Sequence, residues 1–384
     1  MSREILNERM QTGQNCATPE LGSAIDAAER SPISDRWRRS RLRLGWWRRL
    51  TRWEYWPIWA IYPPVVLWIL WLGLRHRGPL LFTAVNPGMP AGGGIVGQSK
   101  SAILRGLAGA GDRVAAWTLV DPGPFPQRNA EVRRFMAEQG LRYPVVLKPD
   151  RGERGTGVVI ARDAQAIEQM LRSCRGAVVV QAYVPGQEWG VSYTRLPGQP
   201  KGEILAITDK RVVAVEGDGR RTLEELILAD NRAVNLGGFF LDKFKARLGE
   251  VPTRGARVRL SELGTHALGA LFLDGDELKT KKLEDAVEAV SCQYEGFYFG
   301  RYDLRAESVE ALQVGDFKVI ELNGVTSEAT GMYDPKHSIW HGWATLMRGW
   351  TMAFEIGAAN RRAGGQELSL GQLVRLWREH QKIS

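Results

Sequence analysis

Two residues apart in the stretch FKVIELNGV, Glu321 and Asn323 leave the same face of an extended strand, with Leu322 turned to the opposite side. The run FYFGRYDLRAE reads as an antiparallel neighbour and adds the carboxylate of Asp303. Three oxygen donors without histidine or cysteine are the ligand set of a hard cation, the chemistry of magnesium held together with phosphates. Carboxylates at strand ends also simply face water, so a second, phosphate-directed feature is needed. VVLKPDRGERGTGVVIA supplies one: two β-branched runs flank glycines 152, 155 and 157, with Lys148 at the entrance and Arg154 in the tip. This reads as a hairpin whose pliable glycine turn closes over phosphate groups, with backbone N–H groups and cations meeting the negative charge. An ordinary surface hairpin would share the pattern, which fits neither G-x-G-x-x-G nor a Walker sequence.

Other elements must bring these groups together. Residues 80–85 read as a short strand, followed by a glycine-rich loop and a helix from about Ser99, an arrangement that suits an anion near Lys100 or, equally, a flexible linker. VAAWTLV is a further expected strand and residues 129–139 a helix, completing a small α/β unit over 78–140. Beyond the hairpin come a helix at 164–172, strands at 177–183 and around QEWGVSYT and Lys210, then a Gly-Asp-Gly turn opening a helix at Arg221 or Thr222. Residues 336–384 read as mostly helical, with Trp340, Trp343, Leu346, Met347 and Trp350 at the spacing of a packed face.

Charge is concentrated rather than spread. Between residues 36 and 77 lie ten Arg, no Lys and one acid, Glu54, so this segment carries the whole formal charge of +9 and eight of the 14 Trp. A fold that coats nucleic acid would not confine its basicity so narrowly. Leu42, Trp46, Leu50 and Trp53 fall on one helical face among arginines, the pattern of a helix lying on an anionic membrane surface. The following 19 uncharged residues are interrupted by Pro63 and Pro64, and arginines flank both ends. That favours two half-helices entering and leaving on the cytoplasmic side of the inner membrane; a single span, or an element packed on the protein, are the alternatives. Residues 1–35 are polar, weakly patterned and expected to be disordered. Cys16, Cys174 and Cys292 are odd in number and widely separated, so neither a disulfide framework nor a cysteine zinc site is indicated.

In order, VVLKPDRGERGTGV, VVVQAYVPGQEWGVSY, ITDKR, VEGDGRRTLEELI and FGRYDLRAE with FKVIELNGVTSEAT resemble the ATP-grasp superfamily over residues 141–335. The GDG-x-x-T-x-x-E-L turn and VPTRGARVRL are similar to its amino-acid ligase branch, which includes cyanophycin synthetase-like and glutathione synthetase-like enzymes. The resemblance implies an α/β (α+β) ATP-grasp fold, two α+β subdomains gripping ATP, with a lid hairpin over about 145–185. It implies that Lys148 contacts ATP, that Gly152 to Gly157, with Arg154, Gly155 and Gly157, form the flap, and that Gln181, Tyr183 and Val184 form the adenine hinge through backbone groups. Glu188 would hold the ribose, Lys210 the phosphates, and Asp303, Glu321 and Asn323 the Mg²⁺, two ions in all. Arg301, two residues from Asp303, is the expected oxyanion cation, His266 in LGTHALGALFLDG a phosphate or substrate contact, and Ser327 and Glu328 neighbours of the incoming substrates. The implied activity joins a carboxylate to an amine through an acylphosphate with release of ADP; a small-molecule kinase or a membrane-bound nucleotide-binding scaffold are the competing readings.

Overall fold

The computed structural model describes residues 34–381 except 96, 153–154, 262–263 and 265–268. Helices lead the chain: α1 (Asp35–Thr51), α2 (Ile58–Ile61), α3 (Pro63–Arg75), α4 (Pro90–Gly94) and α5 (Lys100–Gly106). Pro63 and Pro64 occupy the first turn of α3, where a missing N–H costs nothing, so they start this helix instead of bending it. Residues 81–84 form a 3-10 turn, not the expected strand. Leu81 and Ala84 are buried there beside a long C-terminal helix, and tertiary packing overrides the local β preference.

The first sheet contains β1 (Trp117–Val120), β2 (Val145–Pro149), β3 (Val159–Ala161) and β4 (Val178–Ala182) in the order β1-β4-β2-β3, with every pair antiparallel. Helices α6 (Phe125–Glu138) and α7 (Ala164–Ser173) cover it. The Asp163 side chain caps α7 by accepting from Ala166 N, and Ile167, Met170 and Leu171 recur at the spacing that buries one helical stripe. β2 and β3 are the two arms of the expected glycine hairpin.

The second sheet draws on β5 (Gln187–Thr194) and β6 (Glu203–Arg211), and a separate ribbon on β7 (Ala214–Glu216) and β8 (Arg257–Arg259). Between them α8 (Leu223–Ala229) starts with a capping box, in which Thr222 and Glu225 satisfy each other's backbone N–H, and α9 (Gly237–Lys243) follows. β9 (Leu271–Asp274), α10 (Lys281–Ser291), β10 (Phe299–Ala306), α11 (Val309–Gln313) and β11 (Lys318–Asn323) complete the sheet, in the order β11-β10-β5-β6-β9. Its buried face holds Trp189, Val191, Tyr302, Leu304 and Leu322, packed on Leu283, Val287 and Val290 of α10. α12 (Ile339–Arg362) and α13 (Leu370–Gln381) close the chain, an α+β arrangement.

The basic segment departs from its expected posture. Leu42 packs into the core of α8 and α9, and Trp53 lies against Tyr333, so these two turn toward the protein and not toward a bilayer. Trp46 and Leu50 of the expected face are exposed, together with Trp47. Arg41 caps the C-terminus of α8 by donating to the Leu228 and Ala229 carbonyls, and Arg232 pairs with the buried Glu54 at 2.7 Å. Val65 and Leu72 of α3 are buried against residues of α12, while Ile58, Trp59, Val66, Leu67, Leu70, Trp71 and Leu74 face outward. Among the described residues no helix is long and apolar enough to cross a membrane.

Candidate nucleotide site

β10 and β11 carry the expected oxygen cluster in register. Asp303 lies directly opposite Glu321, and Arg301 opposite Asn323, so all four side chains emerge from one face and Leu322 is buried on the other. Directly opposed residues of an antiparallel pair have Cβ atoms about 5 Å apart, within reach of one ion. The ladder slips immediately after Asp303, whose neighbour Leu304 pairs with Val319. Ile320 is therefore bulged out of the pairing, and its carbonyl accepts from Lys148 Nζ at 3.2 Å. The bulge thus connects the oxygen cluster to a lysine of the first sheet.

Lys148 is buried, and its ammonium also donates to Gln181 Oε1 at 2.8 Å. Burial pulls its pKa down, against the opposing pull of Glu321 and Glu188. A lysine can only donate, so it fixes the orientation of the Gln181 amide and leaves Nε2 as a buried donor without a partner. Such a donor costs about 1–3 kcal/mol until an acceptor arrives, and an adenine ring nitrogen is one. The Gln181 backbone lies in the central strand β4, paired on both edges, so its backbone groups belong to the ladder and its unpartnered donor is the side-chain Nε2. That corrects the expectation for this residue.

Lys210 is shared between Glu188 Oε1 and Asp303 Oδ1, at 2.9 Å from each. Burial alone would lower its pKa, but Asp303 and Glu188 outweigh that and hold it raised. Burial would likewise raise Asp303, yet Lys210 and Arg301 keep its carboxyl below the usual range. Arg301 Nε sits 3.1 Å from Asp303 Oδ1, and its Nη1 donates to the Glu328 carbonyl. Gly190, beside Asp303 in the neighbouring strand, makes room for both cations: a Cβ there would lie 3.2 Å from Arg301 Cδ and 3.4 Å from Lys210 Cε.

A cleft of about 120 Å³ between the two sheets collects Lys148, Gly155, Gln181, Tyr183, Val184, Glu188, Asp303 and Glu321. Val146, Ile160 and Ile320 give it apolar walls of the kind a flat heterocycle occupies. Gly157 is not among the lining residues: it is exposed, with φ +69°, and a Cβ would come within 2.9 Å of Pro149 Cγ, so it shapes the hairpin instead. Asn323 stands outside the lining set, on the strand face it shares with Glu321. Arg154 and His266 lie outside the described residues. Arg305 was not foreseen, and Lys100 was expected only beside a bound anion. Arg305 stacks over Tyr183 at 5.2 Å and donates to the Val184 and Gly186 carbonyls, holding the hinge. Lys100 ties the start of α5 to the hairpin through the Pro149 and Gly152 carbonyls, while Asp150 takes the Lys100 and Ser101 N–H groups. The α5 terminus is thereby filled by the protein's own oxygens, and not by the substrate anion anticipated there.

The donor set suits magnesium: Asp303, Glu321 and Asn323 offer only hard oxygens from two paired strands. Among the described residues no group of three or more His, Cys, Asp or Glu forms an alternative metal centre.

A second cavity, of about 170 Å³, opens beside Glu328, whose backbone carbonyl accepts from Arg301. Ser327 and Glu328 line it, as does Gly300, three residues before Asp303 on β10 and so roughly 10 Å from it along the strand.

Residues 125–191 match the RimK-like ATP-grasp domain. A D-alanine–D-alanine ligase of Thermotoga petrophila is 36% identical over 84 residues, covering 21% of this chain and 27% of that enzyme. A cyanophycin synthetase of Trichormus variabilis is 29% identical over 148 residues, 36% of this chain and 16% of the other. The chain thus spans well under half the length of these relatives. The crystal structure of a Bacillus anthracis D-alanine–D-alanine ligase aligns with a TM-score of 0.40 at 17% identity, covering 70% of this chain and 69% of that one. Residues 125–191, from α6 through the glycine hairpin into β5, are thus the part of this α+β chain that is similar to the RimK-like ATP-grasp domain.

Proposed function

We propose that this protein is an ATP- and magnesium-dependent carboxylate–amine ligase, ADP-forming and acting at a membrane surface. The observation that carries the reading is one cleft, contiguous with the RimK-like segment, in which Lys148, Gln181, Glu188, Asp303 and Glu321 converge from both sheets. The names of the matched relatives, D-alanine–D-alanine ligase and cyanophycin synthetase, support the same reaction class.

In this reading Gln181 Nε2 donates to the base, Tyr183 and Arg305 wall it, and Glu188 meets the ribose. Asp303, Glu321 and Asn323 would hold Mg²⁺, which when bound neutralises phosphate charge. Lys148 and Lys210 contribute fixed positive charge at the same phosphates. A substrate carboxylate oxygen attacks the γ-phosphorus, the bond to the β-phosphate oxygen breaks, and ADP leaves. The amine nitrogen then attacks the acyl carbon of the acylphosphate and loses a proton, and inorganic phosphate departs with the bridging oxygen. Arg301, which contacts Asp303 on one side and the Glu328 carbonyl on the other, would stabilise the tetrahedral oxyanion.

Membrane association rests on the exposed apolar side chains of α1 to α3, including Trp47, Trp59, Leu67 and Leu74, near Arg49, Arg52, Arg75 and Arg77. An anionic surface on the cytoplasmic side of the inner membrane matches that composition, with α3 lying flat and its other face on α12. The test is to incubate purified protein with Mg-ATP and pooled carboxylates and amines, following ADP, free phosphate and product mass. A ligase releases one phosphate per amide; phosphate retained on product would identify a kinase, and no turnover with any pool a binding protein.

A further inference from the structure

The second cavity joins parts of the ATP-grasp resemblance to parts outside it. Tyr62, at the junction of α2 and α3, and Leu346, Gly349 and Trp350 of α12 enclose it with Phe299 and Met332. At its wall the Glu328 carboxylate accepts from the hydroxyls of Tyr62 and Tyr333, one to each oxygen. Among the described residues no Lys or Arg is in ion-pair contact with this carboxylate; Arg301 donates to the Glu328 backbone carbonyl and acts on the carboxylate only through its field. An ionised carboxylate has about four acceptor positions, so each oxygen keeps capacity for a further donor. The other acids on the wall, Asp274 and Asp276, add negative charge, and the cationic Arg348 is exposed at the rim. Asp274 is engaged by Lys336 and His337 and Asp276 accepts the Ile207 N–H, whereas the hydrogen-bond partners of the Glu328 carboxylate are two neutral hydroxyls.

A half-buried carboxylate beside apolar walls is expensive unless a cation approaches it, and the same charge repels an anionic substrate. The volume, about 170 Å³, is close to the roughly 150 Å³ of an apolar cavity that admits benzene. We propose that this cavity binds a primary amine with a compact apolar or aromatic body, its ammonium on Glu328 Oε1 and Oε2 and its body against Phe299, Met332, Leu346 and Trp350. This deepens the ligase reading, on which it rests for the identity of the cavity's occupant as the amine acceptor. Tyr62 makes the N-terminal segment part of the amine site, not only an attachment to a surface.

Three probes of one shape and different charge decide it: benzylamine, benzyl alcohol and benzoate, titrated calorimetrically into the full chain. Benzylamine is expected to bind at least tenfold more tightly than benzyl alcohol, and benzoate most weakly. Glu328→Gln should erase the preference for the amine. Gly349→Leu should abolish binding of both amine and alcohol, because a Cβ at Gly349 meets only Phe299 Cζ, at 3.9 Å, and a longer side chain extends into the cavity. Equal affinity for the three probes, no binding of any, or unchanged amine binding in Gly349→Leu overturns the proposal. The wild-type charge series and Gly349→Leu decide it even if Glu328→Gln does not fold. A parallel Mg-ATP titration separates the two readings: failure of Mg-ATP to bind, with the amine preference intact, defeats the ligase assignment and leaves the amine site standing.

Discussion

Replacing Lys210 with Met removes the one cation that Glu188 and Asp303 share at 2.9 Å each. The Lys210 side chain is 4% exposed, so water cannot take its place. Breaking a buried ion pair from one side costs about 3–5 kcal/mol, since the remaining charge stays desolvated. Asp303 keeps Arg301 at 3.1 Å, which sets the expected loss near the lower end, about 3 kcal/mol. Asp303→Asn should cost a similar amount by leaving Lys210 and Arg301 short of their carboxylate. The double variant removes the ammonium and the carboxylate together, so its loss should fall short of the sum of the single losses by about 1–3 kcal/mol. Urea unfolding of the four proteins, followed by tryptophan fluorescence and circular dichroism, measures that coupling. Additivity within about 0.5 kcal/mol would refute the claim that these side chains form one buried network. Lys210→Met also makes the cleft more negative where phosphates are to sit, so Mg-ATP affinity in the same samples should fall at least tenfold.

Gln181→Leu deletes both the acceptor that holds Lys148 and the unpartnered donor, and should weaken Mg-ATP binding by about 1–3 kcal/mol; unchanged affinity by calorimetry would remove Gln181 from the base site. The Asp303 carboxyl is held below its unfolded pKa of about 3.9, so its contribution is complete above that value and is lost as pH falls through the lower folded value. Urea midpoints should therefore decline more steeply below pH 4 for the wild type than for Asp303→Asn; parallel profiles would contradict the ion-paired state. Trp59, Leu67 and Leu74 are 77%, 68% and 80% exposed, so changing all three to Ser should leave folding within experimental scatter. If each inserts apolar surface worth on the order of 1 kcal/mol, partitioning onto anionic vesicles should drop by roughly two orders of magnitude, and sedimentation equal to wild type would refute surface docking through α3.

The arrangement of the candidate cleft was legible because it obeys local rules. Alternation along two strands places Asp303, Glu321 and Asn323 on one face in any antiparallel pairing of correct register, and the β-branched runs around the glycines specify the hairpin. The caps at Asp163 and Thr222 and the apolar stripe of α7 are equally local. Residues 80–85 escaped because a short apolar run fits either a strand or a buried turn, and only contact with α12 settles which.

Other features had no sequence signal. The slip after Asp303 that frees the Ile320 carbonyl, the Arg305–Tyr183 stack and the space at Gly190 depend on which strands become neighbours. So does the fate of the N-terminal arginines and tryptophans: composition marks residues 36–77 as basic and apolar, but whether Leu42 and Trp53 meet lipid or protein is decided by surfaces nearly 200 to 280 residues further along the chain. The sequence by itself determined the residue types able to hold phosphate and magnesium, and the local elements that carry them. Tertiary structure alone decided that Tyr62 and α12 line a second cavity with Glu328, whose carboxylate Tyr333 also holds, because burial and charge compensation belong to contacts between distant segments and not to periodicity within any one of them.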